Sequence, residues 1–111
     1  MTTKVLICLY ENEVCPRFDL TREVLIAVID RDAAVLKEKE VVLPQASLEM
    51  LCQMILTEGI QVVICGGIEE EYYQYLKWKN VKVLDSVIGD CKLVLQRLVQ
   101  GRLKSGDILV E

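Results

Sequence analysis

Two cysteines of this chain stand where a thiol could bind a metal. Cys15 lies in a polar loop near Arg17, and Cys65 ends a short apolar stretch directly before a pair of glycines. A nearby cation lowers the pKa of a thiol and favours the thiolate, which is the form that binds metal. Soft thiolates suit iron-sulfur or copper-thiolate centres. Because a closed cluster site commonly uses four cysteines, a second chain or exogenous sulfide would have to complete a site built on Cys15 and Cys65.

The remaining cysteines are predicted to be packing residues. Cys8, Cys52 and Cys91 fall within an apolar strand or on the apolar face of a helix, whereas the Cys15 loop is expected to be exposed and its thiol the most reactive. No Cys-x-x-Cys pair occurs, and a disulfide framework is not expected in a reducing compartment. The chain has no histidine, which excludes histidine-based zinc sites and Ser-His-Asp or Cys-His catalysis within one chain. No paired general acid and base stands out, so we predict a protein that is not an enzyme.

Gly66 and Gly67 form the second candidate feature, with Arg17 as a third. Paired glycines permit positive φ or a close backbone approach, and the acids that follow suit the first turn of a helix. A guanidinium together with backbone N–H groups at this turn would suit an anionic cluster or a phosphate. Both features also have a purely structural interpretation. The glycines could form only a tight connection between a strand and a helix, and Arg17 could form a structural ion pair. The three carboxylates of residues 69–71 also count against an anion, because they repel it.

The hydrophobic pattern predicts how these residues are positioned. Apolar runs without polar alternation indicate strands buried on both faces, and helical spacing of apolar residues indicates amphipathic helices. The predicted strands are 4–10, 24–29, 33–43, 61–65 and 81–84, and the predicted helices are 48–58 behind an N-cap at Ser47, 69–79 and 89–100.

The resulting order, β-β-β-α-β-α-β-α, predicts an α/β fold with a mixed five-stranded sheet and helices on its faces. The second and third strands form an antiparallel hairpin, in which a Lys-Glu-Lys-Glu block suits an edge strand. Right-handed crossovers should make the strand at Val5 a parallel neighbour of the strand at Val62. Ligands of open α/β sheets bind at the carboxyl ends of such strands. We therefore expect the Cys15 loop and the Gly66-Gly67 turn to meet there.

Length and charge limit the classes of function. The 111 residues, of net charge −4, predict a single domain over 1–111. The negative charge disfavours nucleic acid or an anionic membrane as the main partner, and no apolar run is long enough to cross a membrane. The N-terminus does not have the regions of a signal peptide, so we expect a cytoplasmic protein. The tail 105–111 could be a short added strand or a partner contact. The sequence is also compatible with a homo-oligomer.

Three segments resemble the dinitrogenase iron-molybdenum cofactor biosynthesis domain family, the NifX-like proteins. Residues 14–19, Val-Cys-Pro-Arg-Phe-Asp, resemble the family's Ser-Pro-His-Phe or Ser-Pro-Arg-Phe loop, with Cys15 where serine is common. Residues 59–68, Gly-Ile-Gln-Val-Val-Ile-Cys-Gly-Gly-Ile, are similar to its Gly-Val-Asp-Val-Val-Ile-x-Gly-Gly-Ile. Residues 89–103 resemble its closing helix, which ends in Gly-x-Leu.

The resemblance implies a ribonuclease H-like fold without the nuclease residues of that fold. It also implies a small domain that binds, carries or helps assemble a metal-sulfur cofactor of the iron-molybdenum or iron-sulfur type. A cofactor donor or acceptor protein would then be the partner. The candidate cofactor-binding residues, from the meeting of the loop and the turn, are Cys15, Arg17, Cys65, Gly66 and Gly67, with Cys15 and Cys65 as the candidate metal ligands. A metal-free protein-interaction or regulatory domain of the same fold is the alternative, and a protein with no cofactor stays equally open.

Overall fold

The computed structural model describes residues 2–32 and 34–110 and shows a mixed α/β fold with three helices. A single 3-10 turn, Phe18–Leu20, follows the second strand. In chain order the strands and helices are β1 (Thr2–Tyr10), β2 (Glu13–Val14), β3 (Glu23–Asp30), β4 (Val35–Val42), α1 (Leu48–Thr57), β5 (Val62–Ile64), α2 (Glu70–Trp78), β6 (Lys82–Leu84), β7 (Ile88–Gly89), α3 (Cys91–Val99) and β8 (Ile108–Leu109).

The main sheet contains all five predicted strands in the order β4-β3-β1-β5-β6. β1, β3 and β4 are antiparallel neighbours, and β5 and β6 continue the sheet in parallel. Val5 lies opposite Val62, as the crossover rule predicted. A sixth strand, β2, pairs with the end of β1. β7 and β8 form a separate parallel pair, which gives the tail a place in the fold.

The predicted order of elements did not include the short strands β2 and β7, and it left β8 as one of two alternatives for the tail. β2, β7 and β8 have two residues each. Two residues are too few to show the period of two by which a strand is recognised. The third predicted strand began at Ala33, which lies outside the described residues, and the observed β4 begins at Val35.

Helices cover the two faces of the sheet and create two separate cores. α1 and α2 pack on one face, where residues such as Leu6, Val24 and Ile55 are fully buried or nearly so. α3 packs on the other face against residues such as Ile7 and Val94. Alternating residues of β1 enter different cores, which explains why this strand is apolar throughout. Within the described residues, no helix is long and apolar enough to span a membrane.

β4 is an edge strand, as its charges indicated. Register with β3 places Lys37 and Lys39 on one face of the sheet and Glu38 and Glu40 on the other. An antiparallel copy of β4 in the same sheet would therefore place like charges opposite each other, which is unfavourable. The block thus discourages extension of the sheet at this edge.

α3 begins two residues later than predicted. Asp90 is its N-cap, and the carboxylate accepts hydrogen bonds from the N–H groups of Lys92 at 2.8 Å and Leu93 at 3.4 Å. A side-chain cap of this kind fixes the first turn of a helix. Ile88, directly before the predicted start of this helix, lies in β7 and is exposed.

Candidate functional site

The loop before the 3-10 turn and the glycine turn after β5 lie against each other. The amide of Gly66 donates to the carbonyl oxygen of Cys15 at 3.1 Å, and that of Gly67 donates to the oxygen of Pro16 at 2.7 Å. The amide of Phe18 returns a bond to the oxygen of Gly67 at 2.8 Å. The expected meeting of the two segments is therefore present. However, the contact is a short ladder of backbone hydrogen bonds and not an open cleft.

The glycine pair allows this close contact between the two backbone segments. A Cβ built on Gly66 would lie 2.5 Å from the carbonyl oxygen of Cys15, and closer still to that of Pro16. At Gly67 the nearest such atom, the Pro16 oxygen, is 3.5 Å away. Neither glycine has a positive φ. The close approach predicted at this turn is thus made by the protein's own backbone, and both amides already have acceptors.

Arg17 forms an ion pair with the nearby Asp19. Its Nε donates to Oδ1 at 3.0 Å, and its Nη2 donates to Oδ2 at 2.6 Å. The hydrogen bonds from Arg17 to Asp19 and the charge of that carboxylate raise the pKa of Arg17, and Glu69 adds to the effect. The guanidinium is exposed but already neutralised. Of the two interpretations from sequence, the structural ion pair fits the geometry.

The Cys15 thiol is buried, contrary to the expectation of an exposed loop. Only 3% of the residue is accessible, although Arg17 in the same loop is exposed. Its S–H donates to the carbonyl oxygen of Arg17 at 3.2 Å, a contact that needs the protonated thiol. The residue packs in the core beneath α1 and α2. The loop was predicted to be exposed because it carries several charged residues, but Val14, Cys15 and Phe18 are all buried.

Cys65 is also held as a thiol. Burial raises its pKa strongly, and the neighbouring Cys8, Asp85 and Cys15 add to the rise. Burial likewise raises the pKa of Cys8 to about 12. At neutral pH these groups are therefore neutral. Neutral thiols are poor metal ligands, because the thiolate is the ligating form.

Four of the five cysteines converge on the same core. Cys8, Cys15, Cys52 and Cys65 all belong to the buried cluster under α1 and α2. The amide of Cys15 donates to the carbonyl oxygen of Cys8 at 2.8 Å. Even so, no group of three or more His, Cys, Asp or Glu side chains among the described residues is placed to hold a metal ion.

A groove between α1 and α2 is a feature that the sequence analysis missed. It encloses about 690 Å³, within the range of ligand-binding clefts. Its lining residues are Leu48, Glu49, Cys52, Gln53, Leu56, Glu71, Tyr72 and Tyr75. Tyr75 of α2 and Leu56 of α1 are each 37% exposed, and both line the groove. The sequence did contain an indication of this groove. The apolar face of α1 is wider than the face that a helix needs to bury against a sheet.

The groove borders the predicted site. Burial raises the pKa of Tyr72, and the carboxylates of Glu71, Glu69 and Asp19 add to the rise. The 3-10 turn that carries Asp19 contacts α1. One mouth of the groove therefore lies beside the loop that holds Cys15.

Comparison with known proteins identifies relatives of this fold. A sequence model described as dinitrogenase iron-molybdenum cofactor matches residues 3–101. The crystal structure of PH0822 aligns with a TM-score of 0.84 at 22% identity, over 93% of this chain and 94% of that chain. No curated protein matches significantly in sequence.

Two further solved structures share the fold. The first, a candidate dinitrogenase from Methanococcus jannaschii, has a TM-score of 0.76 at 24% identity, over 95% of this chain and 93% of that chain. The second, a candidate NifB protein from Thermotoga, has a TM-score of 0.67 at 18% identity, over 98% of each chain. At these identities the structures show a common architecture.

Proposed function

The chain belongs to the dinitrogenase iron-molybdenum cofactor family, and from this premise we propose that it handles a metal-sulfur cofactor without catalysing a reaction. It binds, carries or helps assemble an iron-molybdenum or iron-sulfur species. The observation that supports this proposal is the family match over residues 3–101. The absence of histidine from the sequence supports a non-catalytic role, because it removes the commonest general acid-base group. We propose the cytoplasm as the location.

Direct ligation of a cluster by Cys15 and Cys65 does not fit the folded site. The Cys15 S–H donates to a carbonyl oxygen, and the Cys65 thiol is buried with a raised pKa. The amides of Gly66 and Gly67 are hydrogen-bonded to the loop, and Arg17 is paired with Asp19. A thiolate site would require the loop to part from the turn and both thiols to lose their protons.

A second candidate is a metal-free interaction domain, and the closed loop favours it. In this role the protein would contact a cofactor donor or acceptor protein and leave the metal-sulfur species with that partner. The groove between α1 and α2 offers a surface for such a contact, since exposed apolar side chains line it.

Anaerobic loading assays separate the two candidates. Wild type, Cys15→Ser, Cys65→Ser and Arg17→Ala would be exposed to an iron-sulfur or molybdenum-sulfur donor, with Cys91→Ser as the matched control outside the loop and turn. Metal content and visible absorption would be measured after removal of the donor. From the closed geometry we expect the same result in all five proteins.

Each outcome of this assay decides one point. Equal loading in all five would support cofactor binding elsewhere on the domain, and no loading in any would support the metal-free role. Loss of loading in Cys15→Ser and Cys65→Ser alone would contradict the closed site and establish thiolate ligation.

We further propose that the architecture is of the ribonuclease H-like type. The support is the sheet order, in which three leading antiparallel strands are followed by two parallel strands reached through helical crossovers.

A further inference from the structure

The groove between α1 and α2 combines an apolar floor with an acidic rim. Leu48, Leu56 and Tyr75 present carbon surface to it, and Glu49 and Glu71 stand at its edge. Apolar clefts rimmed by polar groups are typical of interaction sites. No lysine or arginine lines it.

The rim carboxylates have no internal partner. Among the described residues, the ion pairs are Lys4–Glu58, Arg17–Asp19 and Lys39–Glu58, so neither Glu49 nor Glu71 is paired. Both occupy the first turns of their helices, together with Glu70, whose carboxylate accepts a hydrogen bond from Gln74 at 2.7 Å. The uncompensated negative charge is therefore concentrated at one end of the groove.

The opposite end has a different chemistry. Trp78 is 73% exposed one turn beyond Tyr75, and the ammonium of Lys79 lies 4.6 Å from the centre of its ring. A cation held over an indole in this way has a favourable interaction of its own. The same ammonium lies 5.8 Å from the centre of the Tyr75 ring, so this cation is at the C-terminal end of α2, away from Glu71 in the first turn.

We propose that the α1–α2 groove binds a positively charged amphipathic helix of a partner protein. A ten-residue helix such as α1 is about 15 Å long, which matches roughly three turns of a docked helix. Apolar residues of that helix at helical spacing would contact Leu56 and Tyr75. Its lysines or arginines would lie beside Glu49 and Glu71, and complementary charge would set both orientation and selectivity.

The basic amphipathic helix is the kind of partner that the protein would bind in the metal-free interaction role, and the proposal rests on that role. The cofactor-loading assay does not involve the groove, so failure of the two proposals can be distinguished. A chain that loads no cofactor and ignores basic helices would contradict only the groove proposal, whereas a chain that loads cofactor would contradict the metal-free role.

The test uses two synthetic peptides of about four turns, roughly 14 residues, with identical leucine faces. One carries lysine on its polar face and the other carries glutamate. Binding to the full chain would be followed by amide chemical shifts and by the fluorescence of Trp78, the only tryptophan. We expect saturable binding of the lysine peptide, at least about tenfold tighter than that of the glutamate peptide and weaker at high salt. The largest shifts should lie in α1 and α2.

Charge reversal provides the specific control. Glu49→Lys combined with Glu71→Lys should reverse the preference between the two peptides. Glu70→Lys adds a cation to the same first turn of α2 but does not line the groove, so it should leave the preference unchanged. Circular dichroism would establish that each variant is folded.

The Leu56→Asp variant tests the apolar contact separately. Its control is Leu36→Asp, because Leu36 is an exposed leucine of β4 that lies outside the groove. Only the former should weaken binding. Equal affinity for both peptides, shifts confined to another face, or a groove already filled by a second copy of the chain in peptide-free sedimentation would each overturn the proposal.

Discussion

The amide of Gly66 donates a hydrogen bond to the carbonyl oxygen of Cys15 across 3.1 Å, which joins two segments that are 51 positions apart in the chain. The carbonyl of Gly66 in turn accepts from the amide of Ser86 at 2.8 Å. This one residue therefore connects the Cys15 loop, the end of β5 and the segment after β6. The junction is structural, and its stability should depend on the size of the residue at position 66.

We predict that Gly66→Ala destabilises the fold, whereas Gly67→Ala has a much smaller effect. An added Cβ at Gly66 would meet the backbone carbonyls of Cys15 and Pro16, which cannot move without separating the loop from the turn. Overpacking of this kind typically costs about 1–3 kcal/mol. At Gly67 the added atom would be in ordinary contact, 3.5 Å from the Pro16 oxygen. Urea denaturation of the two variants measures the difference, and equal stability would contradict a structural role for Gly66.

The sequence correctly predicted where this junction lies, but it did not predict that the junction is a contact between two backbone segments. Hydrophobic runs and right-handed crossovers correctly placed Val5 beside Val62, and thus the loop beside the turn. A glycine pair indicates close approach, but nothing local in the sequence says whether the approaching group is a ligand or another backbone. The burial of Cys15 was not predicted either, because the loop carries several charged residues and the burial of this thiol comes from tertiary packing.

Thiol reactivity should follow burial, so we now predict that Cys91 is labelled faster than Cys8, Cys15 or Cys65. The latter three are buried, whereas Cys91 is half-buried at the start of α3. Native-state labelling with a maleimide, followed by mass mapping of the modified peptide, measures the order. Fast labelling of Cys15 would show that the loop opens readily, and Cys91→Ser provides the control for site assignment.

The pH dependence of that labelling is a separate prediction. Burial raises the pKa of Cys91 to about 11, with Asp90, Glu38 and Glu40 adding to the rise. Because only the thiolate reacts, the labelling rate should be half-maximal at a pH of about 11. An unperturbed thiol would reach half of its maximal rate at about pH 8.5. A midpoint at the ordinary value in stopped-flow measurements would contradict the shift.

Glu58 should stabilise the fold in a pH-dependent manner. Lys4 and Lys39 approach the same carboxylate oxygen at 3.2 Å and 3.3 Å, and their hydrogen bonds and charges lower the pKa of Glu58 below 4.5. A lowered folded-state pKa means that the contribution is present above the unfolded value and is lost as the pH falls through the folded value. Wild type should therefore be more stable than Glu58→Gln at neutral pH, and the difference should disappear in acid.

Denaturant titrations at several pH values measure that difference. Glu49→Gln is the matched control, because this glutamate lies in α1, for which Glu58 is the C-cap, and belongs to none of the ion pairs among the described residues. Its effect on stability should not shrink in the same way as the pH falls. High salt should reduce the effect of Glu58→Gln, since the group is at the surface. A difference that persists unchanged in acid would show that the ion pairs contribute nothing.

Gly89 should hold the C-terminal strand in place. It has φ +147°, and a Cβ there would lie 2.6 Å from the carbonyl oxygen of Leu109 in β8. Gly89→Ala therefore combines backbone strain, which costs about 1–3 kcal/mol, with a steric clash, and should release β8 while the main sheet stays folded. Hydrogen exchange at the amide of Ile88, which donates to the oxygen of Asp107 at 3.0 Å, measures the release. Ile88→Ala, an exposed position in the same strand, should keep that protection, and full protection in Gly89→Ala would contradict the prediction.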